Sequence, residues 1–152
     1  MVKLLLVVGK KNSGKTTFME RIIPEMRKKG YKVFGIKHAH HDFEIDYPGK
    51  DSYRIFHSNA NGVAIFNSSK IALIRYFDKE IDPLKIILNF FKDADIIFYE
   101  GGKNLKYPKI EITNDGTIFT KNPFVVILNG KMIKKIGFNF FYIDEIKEIA
   151  NY

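Results

Sequence analysis

Residues 9–17, GKKNSGKTT, combine glycines, a lysine and hydroxyl groups at a spacing that suits phosphate chemistry. The pattern G-x-x-x-x-G-K-[ST] is matched by Gly9, Gly14, Lys15 and Thr16. Glycines let successive backbone N–H groups turn toward one anion. Lys15 can reach the outer phosphates of a nucleotide, and the Thr16 hydroxyl can bind Mg²⁺. The stretch therefore predicts a nucleotide-binding loop whose residues are Gly9, Asn12, Ser13, Gly14, Lys15, Thr16 and Thr17.

A carboxylate is expected near the same Mg²⁺, and the stretch DADIIFYEGG (residues 93–102) offers three. In a parallel sheet, ligands gather beyond the carboxyl ends of the strands. Asp93 and Asp95 precede the apolar run, whereas Glu100 ends it. We therefore predict that Lys15 and Glu100 are the catalytic residues and that Thr16 and Glu100 bind the metal.

Residues 37–54, KHAHHDFEIDYPGKDSYR, hold three of the four histidines and three aspartates. One interpretation is a transition-metal site with two histidines and a carboxylate, and a second is a structural or pH-sensing role. The third, which we favour, is a loop that binds an anionic small molecule or contacts the nucleotide's Mg²⁺, because lysine and histidine donate to phosphate. Its candidate phosphate donors are Lys37, His40, His41 and Lys50, and its candidate metal-proximal carboxylates are Asp42, Asp46 and Asp51.

Alternating strands and helices are predicted to position these residues. A strand at 3–8, an amphipathic helix at 15–29 and a strand at 31–37 make a right-handed βαβ unit, and hence a parallel sheet. Further strands are predicted at 62–67, 70–76, 95–102, 124–130 and 138–143, and further helices at 51–60, 82–92 and 144–151. The strands at 62–67 and 70–76 pair through a turn at 67–69, and a second hairpin spans 109–120 around an Asn-Asp-Gly turn.

Composition and charge limit the class of protein. The length of 152 residues fits a single domain over residues 1–152, and the absence of cysteine excludes disulfides and thiolate metal sites. The apolar start is too short for a signal sequence or a membrane span, so we expect a cytoplasmic protein with no membrane partner. The net charge of +8 favours anionic partners. Because the lysines are scattered and no nucleic-acid-binding motif occurs, we expect no nucleic acid among them.

Three stretches resemble one known family along most of the chain and in the same order. GKKNSGKTT, IKHAHHDFEIDYPGKDSYR and YEGGK…PKIEI are similar to the molybdopterin-guanine dinucleotide biosynthesis protein B (MobB) family, within the P-loop GTPase class. The resemblance implies an α/β, P-loop NTPase-like fold, with a mostly parallel sheet flanked by helices and an added β-hairpin. It places Gly101 in the second acidic motif and His38 in the histidine-rich loop, as further ligand-binding positions.

The resemblance also implies a function. Members are expected to form homodimers that bind GTP with Mg²⁺ and hydrolyse it weakly. They assist when a partner nucleotidyltransferase attaches GMP to molybdopterin, so molybdopterin or its guanine dinucleotide is an implied ligand. The chain departs from the family at Asn129 and Gly130, where Ser-Asp is common and a base-recognising carboxylate would be expected. No N-K-x-D guanine signature occurs, so guanine preference is implied by the resemblance alone.

Two alternatives of a different class stay open. One is a P-loop small-molecule kinase whose acceptor is held by residues 38–54. The other is a metallochaperone GTPase that uses His38, His40 and His41 as metal ligands.

Overall fold

The computed structural model describes residues 3–152. The strands are β1 (Lys3–Gly9), β2 (Val33–Lys37), β3 (Gly62–Phe66), β4 (Ile71–Arg75), β5 (Ile96–Glu100), β6 (Lys109–Thr113), β7 (Val125–Leu128) and β8 (Phe140–Tyr142). The helices are α1 (Lys15–Lys28), α2 (Asp51–Phe56), α3 (Pro83–Phe90) and α4 (Ile146–Asn151). The chain divides into two compact units, of which one runs to His38 and resumes at Phe90–Tyr152, while the other is Ala39–Asn89. The prediction of a single domain stays a prediction.

A parallel six-stranded sheet forms the first unit, in the order β2-β5-β1-β6-β7-β8. Every adjacent pair is parallel. Parallel strands covered by helices are apolar along their whole length, and β5 and β7 are accordingly buried almost throughout. Helix α1 contributes the buried Phe18 and Ile22 to this core. Phe18 meets the Phe98 ring edge-on at 6.4 Å between centroids. The predicted mostly parallel sheet flanked by helices is therefore confirmed.

An antiparallel hairpin, β3–β4, lies in the Ala39–Asn89 unit, as predicted for residues 62–67 and 70–76. Its turn is held by Asn67, whose side-chain oxygen accepts the backbone N–H groups of Ser69 at 2.9 Å and Lys70 at 2.8 Å. Asparagine favours turns because its side chain can make such local bonds. In the same unit, the buried Phe56 of α2 stacks on Tyr76 at 4.7 Å.

The predicted hairpin at 109–120 is wrong. Only its first half is a strand, because β6 already pairs with β1 along one edge and with β7 along the other. Residues 114–120 instead form a loop that side chains hold in place. The Asp115 carboxylate accepts the Thr117 N–H at 2.8 Å, and the fully buried Glu111 carboxylate accepts the Phe119 N–H at 2.6 Å.

Other predicted elements are present with shorter bounds. The helix predicted at 51–60 ends at Phe56, the strand predicted at 138–143 is β8, and the helix predicted at 144–151 begins at Ile146. Within residues 3–152, no helix has both the length and the apolar character needed to cross a membrane.

Candidate nucleotide-binding site

The 9–17 loop joins β1 to α1 in a conformation that requires glycine at two positions. A Cβ atom on Gly9 would lie 2.4 Å from the Ile112 carbonyl oxygen, and one on Gly14 would lie 2.3 Å from Asn129 Nδ2. Gly14 also has a φ of 97°, in the left-handed region that glycine tolerates. Glycine at these two positions therefore lets the loop lie close to the backbone of β6 and to the side chain of Asn129.

Helix α1 begins directly after this turn, with Lys15 as its first residue. The first N–H groups of an α-helix have no partner within the helix, and its dipole favours an anion there. The first turn carries no acidic residue that would oppose such an anion. The Lys15 ammonium donates to the carbonyl oxygens of Lys10 at 2.7 Å and Gly9 at 3.3 Å, so it lies over the loop. This combination suits a phosphate group.

Glu100 and Thr16 meet at the carboxyl edge of the sheet. The Thr16 hydroxyl donates to Glu100 Oε2 at 3.1 Å, and the Lys37 ammonium lies 2.9 Å from Glu100 Oε1. The strand register explains the meeting, because Glu100 ends β5 and lies opposite Val7 of β1 and Lys37 of β2. Asp95, in contrast, precedes β5 and accepts the Lys32 N–H at 2.7 Å. The predicted position of Glu100 at the carboxyl end is therefore confirmed.

The Thr16–Glu100 pair supplies oxygen atoms of the kind that Mg²⁺ prefers as ligands. Their hydrogen bond of 3.1 Å directs the Thr16 hydroxyl and the Glu100 carboxylate to the same part of the cleft. Thr16 and Glu100 are thus the residues that would hold the ion, whose charge would balance the phosphates when bound.

These groups line one cleft of about 430 Å³ in the first unit. Its lining residues are Lys11, Asn12, Gly14, Lys15, Thr16, Thr17, Lys37 and Glu100. The structure thus brings together the two stretches that the sequence analysis assigned to phosphate and metal. Lysines at three of these positions make the cleft favourable for an anion.

The sequence profile of the family described as MobB, molybdopterin guanine dinucleotide synthesis protein B, matches residues 4–130. The chain belongs to this family. It is 33% identical over 110 residues to the molybdopterin-guanine dinucleotide biosynthesis adapter protein of Haemophilus influenzae, a match that covers 72% of this chain and 62% of that protein's length. The Escherichia coli K12 adapter protein is 32% identical over 119 residues, with 76% and 68% covered. The family resemblance predicted from the three stretches is confirmed.

Solved MobB structures have the same fold. The crystal structure of Bacillus subtilis MobB aligns with a TM-score of 0.75 and 28% identity, covering 98% of this chain and 96% of that one. The predicted P-loop NTPase-like fold class is therefore confirmed as well.

In this MobB-family chain, His38 and Gly101 lie next to each other beyond β2 and β5. The His38 N–H donates to the Glu100 carbonyl oxygen at 3.1 Å and so extends the strand pairing. A Cβ on Gly101 would lie 3.1 Å from His38 Cβ, and the His38 ring meets the Tyr99 ring edge-on at 6.4 Å. Burial raises the pKa of Tyr99 above its usual value. His38 is exposed at this edge.

The remaining predicted ligand-binding residues belong to the Ala39–Asn89 unit. His40, His41, Lys50 and Asp51 are exposed there. The Asp46 carboxylate accepts the Tyr47 N–H at 2.8 Å, and the Ser52 hydroxyl and that N–H hold the pKa of Asp46 below its usual range. Asp51 begins α2 and lies 3.9 Å from Arg54. The binding roles of these residues stay predictions.

No group of three or more His, Cys, Asp or Glu side chains within residues 3–152 has an arrangement that could hold a metal ion.

Two contacts of the site do not follow from the sequence motifs. Lys37, a predicted phosphate donor, forms an ion pair with Glu100. Asn129, at a position where the chain departs from the family, donates its side-chain amide to the Ser13 carbonyl oxygen at 3.0 Å. The second departure, Gly130, has a steric reason, because a Cβ at this position would lie 2.4 Å from the Asn114 carbonyl oxygen. The available signal was positional, since Lys37 and Asn129 stand at the carboxyl ends of apolar strands, as Glu100 does.

Proposed function

We propose that this protein binds GTP together with Mg²⁺ in the cleft of the first unit and serves as an adapter in molybdopterin guanine dinucleotide biosynthesis. The observation that carries the nucleotide part is the 3.1 Å contact between Thr16 and Glu100 beside Lys15. A triphosphate needs a cationic group, backbone donors and a metal held by oxygen ligands. One cleft supplies the cation, the backbone donors and two side chains whose oxygen atoms could bind the metal.

Different residues of the cleft bind different parts of the nucleotide and its metal ion. The backbone N–H groups at the start of α1 bind the inner phosphates of the nucleotide. The Lys15 ammonium leaves the carbonyl oxygens of Gly9 and Lys10 and binds the outer phosphates. Thr16 and Glu100 hold the metal, which neutralises phosphate charge when bound. Lys15 also stabilises charge on the terminal phosphate, which supports slow hydrolysis.

The adapter role rests on family membership and on the names of the relatives, which are called adapter proteins of this biosynthesis. In this role the protein assists a nucleotidyltransferase that attaches GMP to molybdopterin in the cytoplasm. Molybdopterin or its guanine dinucleotide is the second, anionic ligand, and His40, His41 and Lys50 are its candidate donors. The chain works as a homodimer, which light scattering of the purified protein would test as a mass of twice the monomer.

Calorimetric titration with GTP and ATP, each with and without Mg²⁺, tests the nucleotide part. We expect GTP to bind more tightly than ATP, and Mg²⁺ to tighten GTP binding. If neither triphosphate binds, the assignment of the cleft fails. If ATP binds as tightly as GTP, the choice of guanine fails while the phosphate site stands.

A binding assay with the nucleotidyltransferase of the same pathway tests the adapter part. We expect a complex between the two purified proteins in the presence of Mg²⁺ and GTP. A protein that binds GTP tightly but forms no complex with the enzyme, and does not change its rate of GMP transfer, would not be an adapter.

A further inference from the structure

Both carboxylate oxygens of Glu100 are engaged by groups of the chain itself. Oε2 accepts the Thr16 hydroxyl at 3.1 Å, and Oε1 lies 2.9 Å from the Lys37 ammonium. The two partners of the ion pair differ sharply in exposure, since the side chain of Glu100 is 12% exposed and that of Lys37 is 68% exposed. The carboxylate is therefore held in place, whereas the lysine side chain has room to move into solvent or along the cleft.

The ion pair follows from the sheet and not from a chance approach of surface side chains. Lys37 and Glu100 are register partners on the adjacent parallel strands β2 and β5, and both are the last residues of their strands. A largely buried carboxylate without a compensating charge is unfavourable. Lys37 supplies that charge at the same carboxylate that would bind Mg²⁺.

We propose that Lys37 is a displaceable cation, which holds Glu100 in the absence of metal and moves to the phosphates when Mg²⁺ enters with the nucleotide. This inference rests on the proposed function and adds a residue that couples metal binding to nucleotide binding. Mg²⁺ and an ammonium group compete for one carboxylate, because both are cations that need its oxygens. The displaced ammonium stays within the cleft, which Lys37 lines together with Lys15.

The coupling predicts two effects of opposite sign for a Lys37→Met variant. Divalent metal alone should bind more tightly, by about threefold to tenfold, because its competitor is removed. GTP with Mg²⁺ should bind more weakly by a similar factor, because a phosphate donor is lost. A lysine that served only to stabilise the sheet would produce neither change.

Lys32→Met is the matched control. Lys32 precedes β2 at the opposite end of the same strand pair, its side chain is 65% exposed, and it lies 3.4 Å from Asp93 in a comparable ion pair. The variant changes the net charge by the same amount and leaves the cleft intact. Lys37→Arg is the complementary variant, which keeps the cation and should behave like the wild type in metal binding.

The experiment measures binding and not catalysis. Mn²⁺ serves as a paramagnetic probe of the Mg²⁺ site, and its affinity without nucleotide is measured by electron paramagnetic resonance for the wild type and the three variants. Calorimetry then gives the GTP affinity at saturating Mg²⁺, and circular dichroism establishes that each variant is folded. We expect both shifts in Lys37→Met and neither in Lys32→Met.

Three results would overturn the inference. These are an unchanged or weaker Mn²⁺ affinity in Lys37→Met, an unchanged GTP affinity in that variant, or equal shifts in Lys32→Met. None of these results would contradict the proposed function, provided that the wild-type protein binds GTP with Mg²⁺. Wild-type protein that binds no triphosphate would overturn the proposed function and this inference together.

Discussion

The Asn129 side-chain amide donates to the carbonyl oxygen of Ser13 at 3.0 Å and ties the end of β7 to the phosphate-binding loop. Ser13 is almost completely buried. The Asn114 amide, with its nitrogen turned toward these residues, donates to the backbone carbonyl oxygens of Ser13 at 3.1 Å and of Asn129 at 3.0 Å. Two asparagines from neighbouring strand ends therefore fix the backbone of the loop just before α1.

An Asn129→Ala variant should lose part of this support. We expect a loss of about 0.5–1.5 kcal/mol in the free energy of unfolding, because the buried Ser13 carbonyl loses one of its two donors and keeps Asn114. Triphosphate binding should weaken several-fold, since the loop is less well ordered. Thermal unfolding and calorimetry measure the two effects. Asn139→Ala is the control, because Asn139 donates to the Tyr152 hydroxyl at an exposed position. Equal effects of the two variants would contradict a specific role for Asn129.

Lys15→Ala should weaken GTP binding by about tenfold to a hundredfold, since a charge-assisted hydrogen bond contributes roughly 1.5–3 kcal/mol. The fold should survive, because within residues 3–152 the hydrogen bonds of the ammonium go to the carbonyl oxygens of Gly9 and Lys10 in the loop itself. Calorimetry measures the affinity. Lys28→Ala, on the same helix and paired with Glu25 at 2.6 Å, controls for the loss of charge. An unchanged affinity in Lys15→Ala would remove the basis for the phosphate site.

Glu100→Gln should reduce Mg²⁺-dependent GTP binding and hydrolysis more than Asp95→Asn does. Glu100 contacts Thr16 at the carboxyl edge, whereas Asp95 accepts the Lys32 N–H before β5 begins. Titration of Mg²⁺ at fixed GTP, followed by a phosphate-release assay, measures the difference. Equal or reversed effects would place the metal elsewhere.

Asp115 should make folding sensitive to acid. The Thr117 N–H, and then its hydroxyl, hold the pKa of Asp115 below its usual value of 3.8. A carboxyl whose pKa is lowered by folding stabilises the native state above its unfolded pKa, and this contribution is lost as the pH falls through the folded-state pKa. Asp115→Asn should therefore be less stable at pH 7 and should show a smaller decline below about pH 4. Urea unfolding from pH 7 to pH 3 measures the slope, with exposed Asp78→Asn as the control. Parallel curves for Asp115→Asn and wild type would contradict this account.

Metal removal separates the adapter from a metallochaperone. We expect purified protein to carry no stoichiometric zinc or nickel, and EDTA to leave its melting temperature unchanged without nucleotide, because structural metal sites contribute directly to folding. A His40→Ala, His41→Ala double variant should fold normally and lose function in cofactor assembly. Near-stoichiometric transition metal that is lost with stability in this variant would favour the metallochaperone.

Local patterns were sufficient for most of the sheet and for one side of the cleft. Apolar runs predict β1, β5 and β7 because these strands are buried on both faces. The phosphate loop is predictable because its glycines, lysine and threonine are contiguous. Glu100 followed from the rule that ligands gather at the carboxyl ends of parallel strands.

Pairing between strands that are far apart in the sequence explains the elements and contacts that local patterns did not predict. The alternation in residues 109–120 suits a hairpin locally, but β1 and β7 occupy both edges of β6, and that pairing depends on residues far away. The burial of Glu111 depends on the same non-local arrangement, because the Phe119 N–H of the following loop donates to its carboxylate. The Lys37–Glu100 and Asn129–Ser13 contacts depend on strand order, which no local pattern specifies.

The central strand β1 has its neighbours late in the chain, because β5 begins at Ile96 and β6 at Lys109. The loop contact with Asn129 spans 116 positions. At a synthesis rate of about 5–20 residues per second, the ribosome needs roughly 6–23 s to supply that span. The strand β1 can pair within its sheet only after β5 and β6 have been synthesised, and such non-local pairing is the slow part of folding. The contact that Asn129 makes with the phosphate-binding loop can form only later, after β7 has been synthesised.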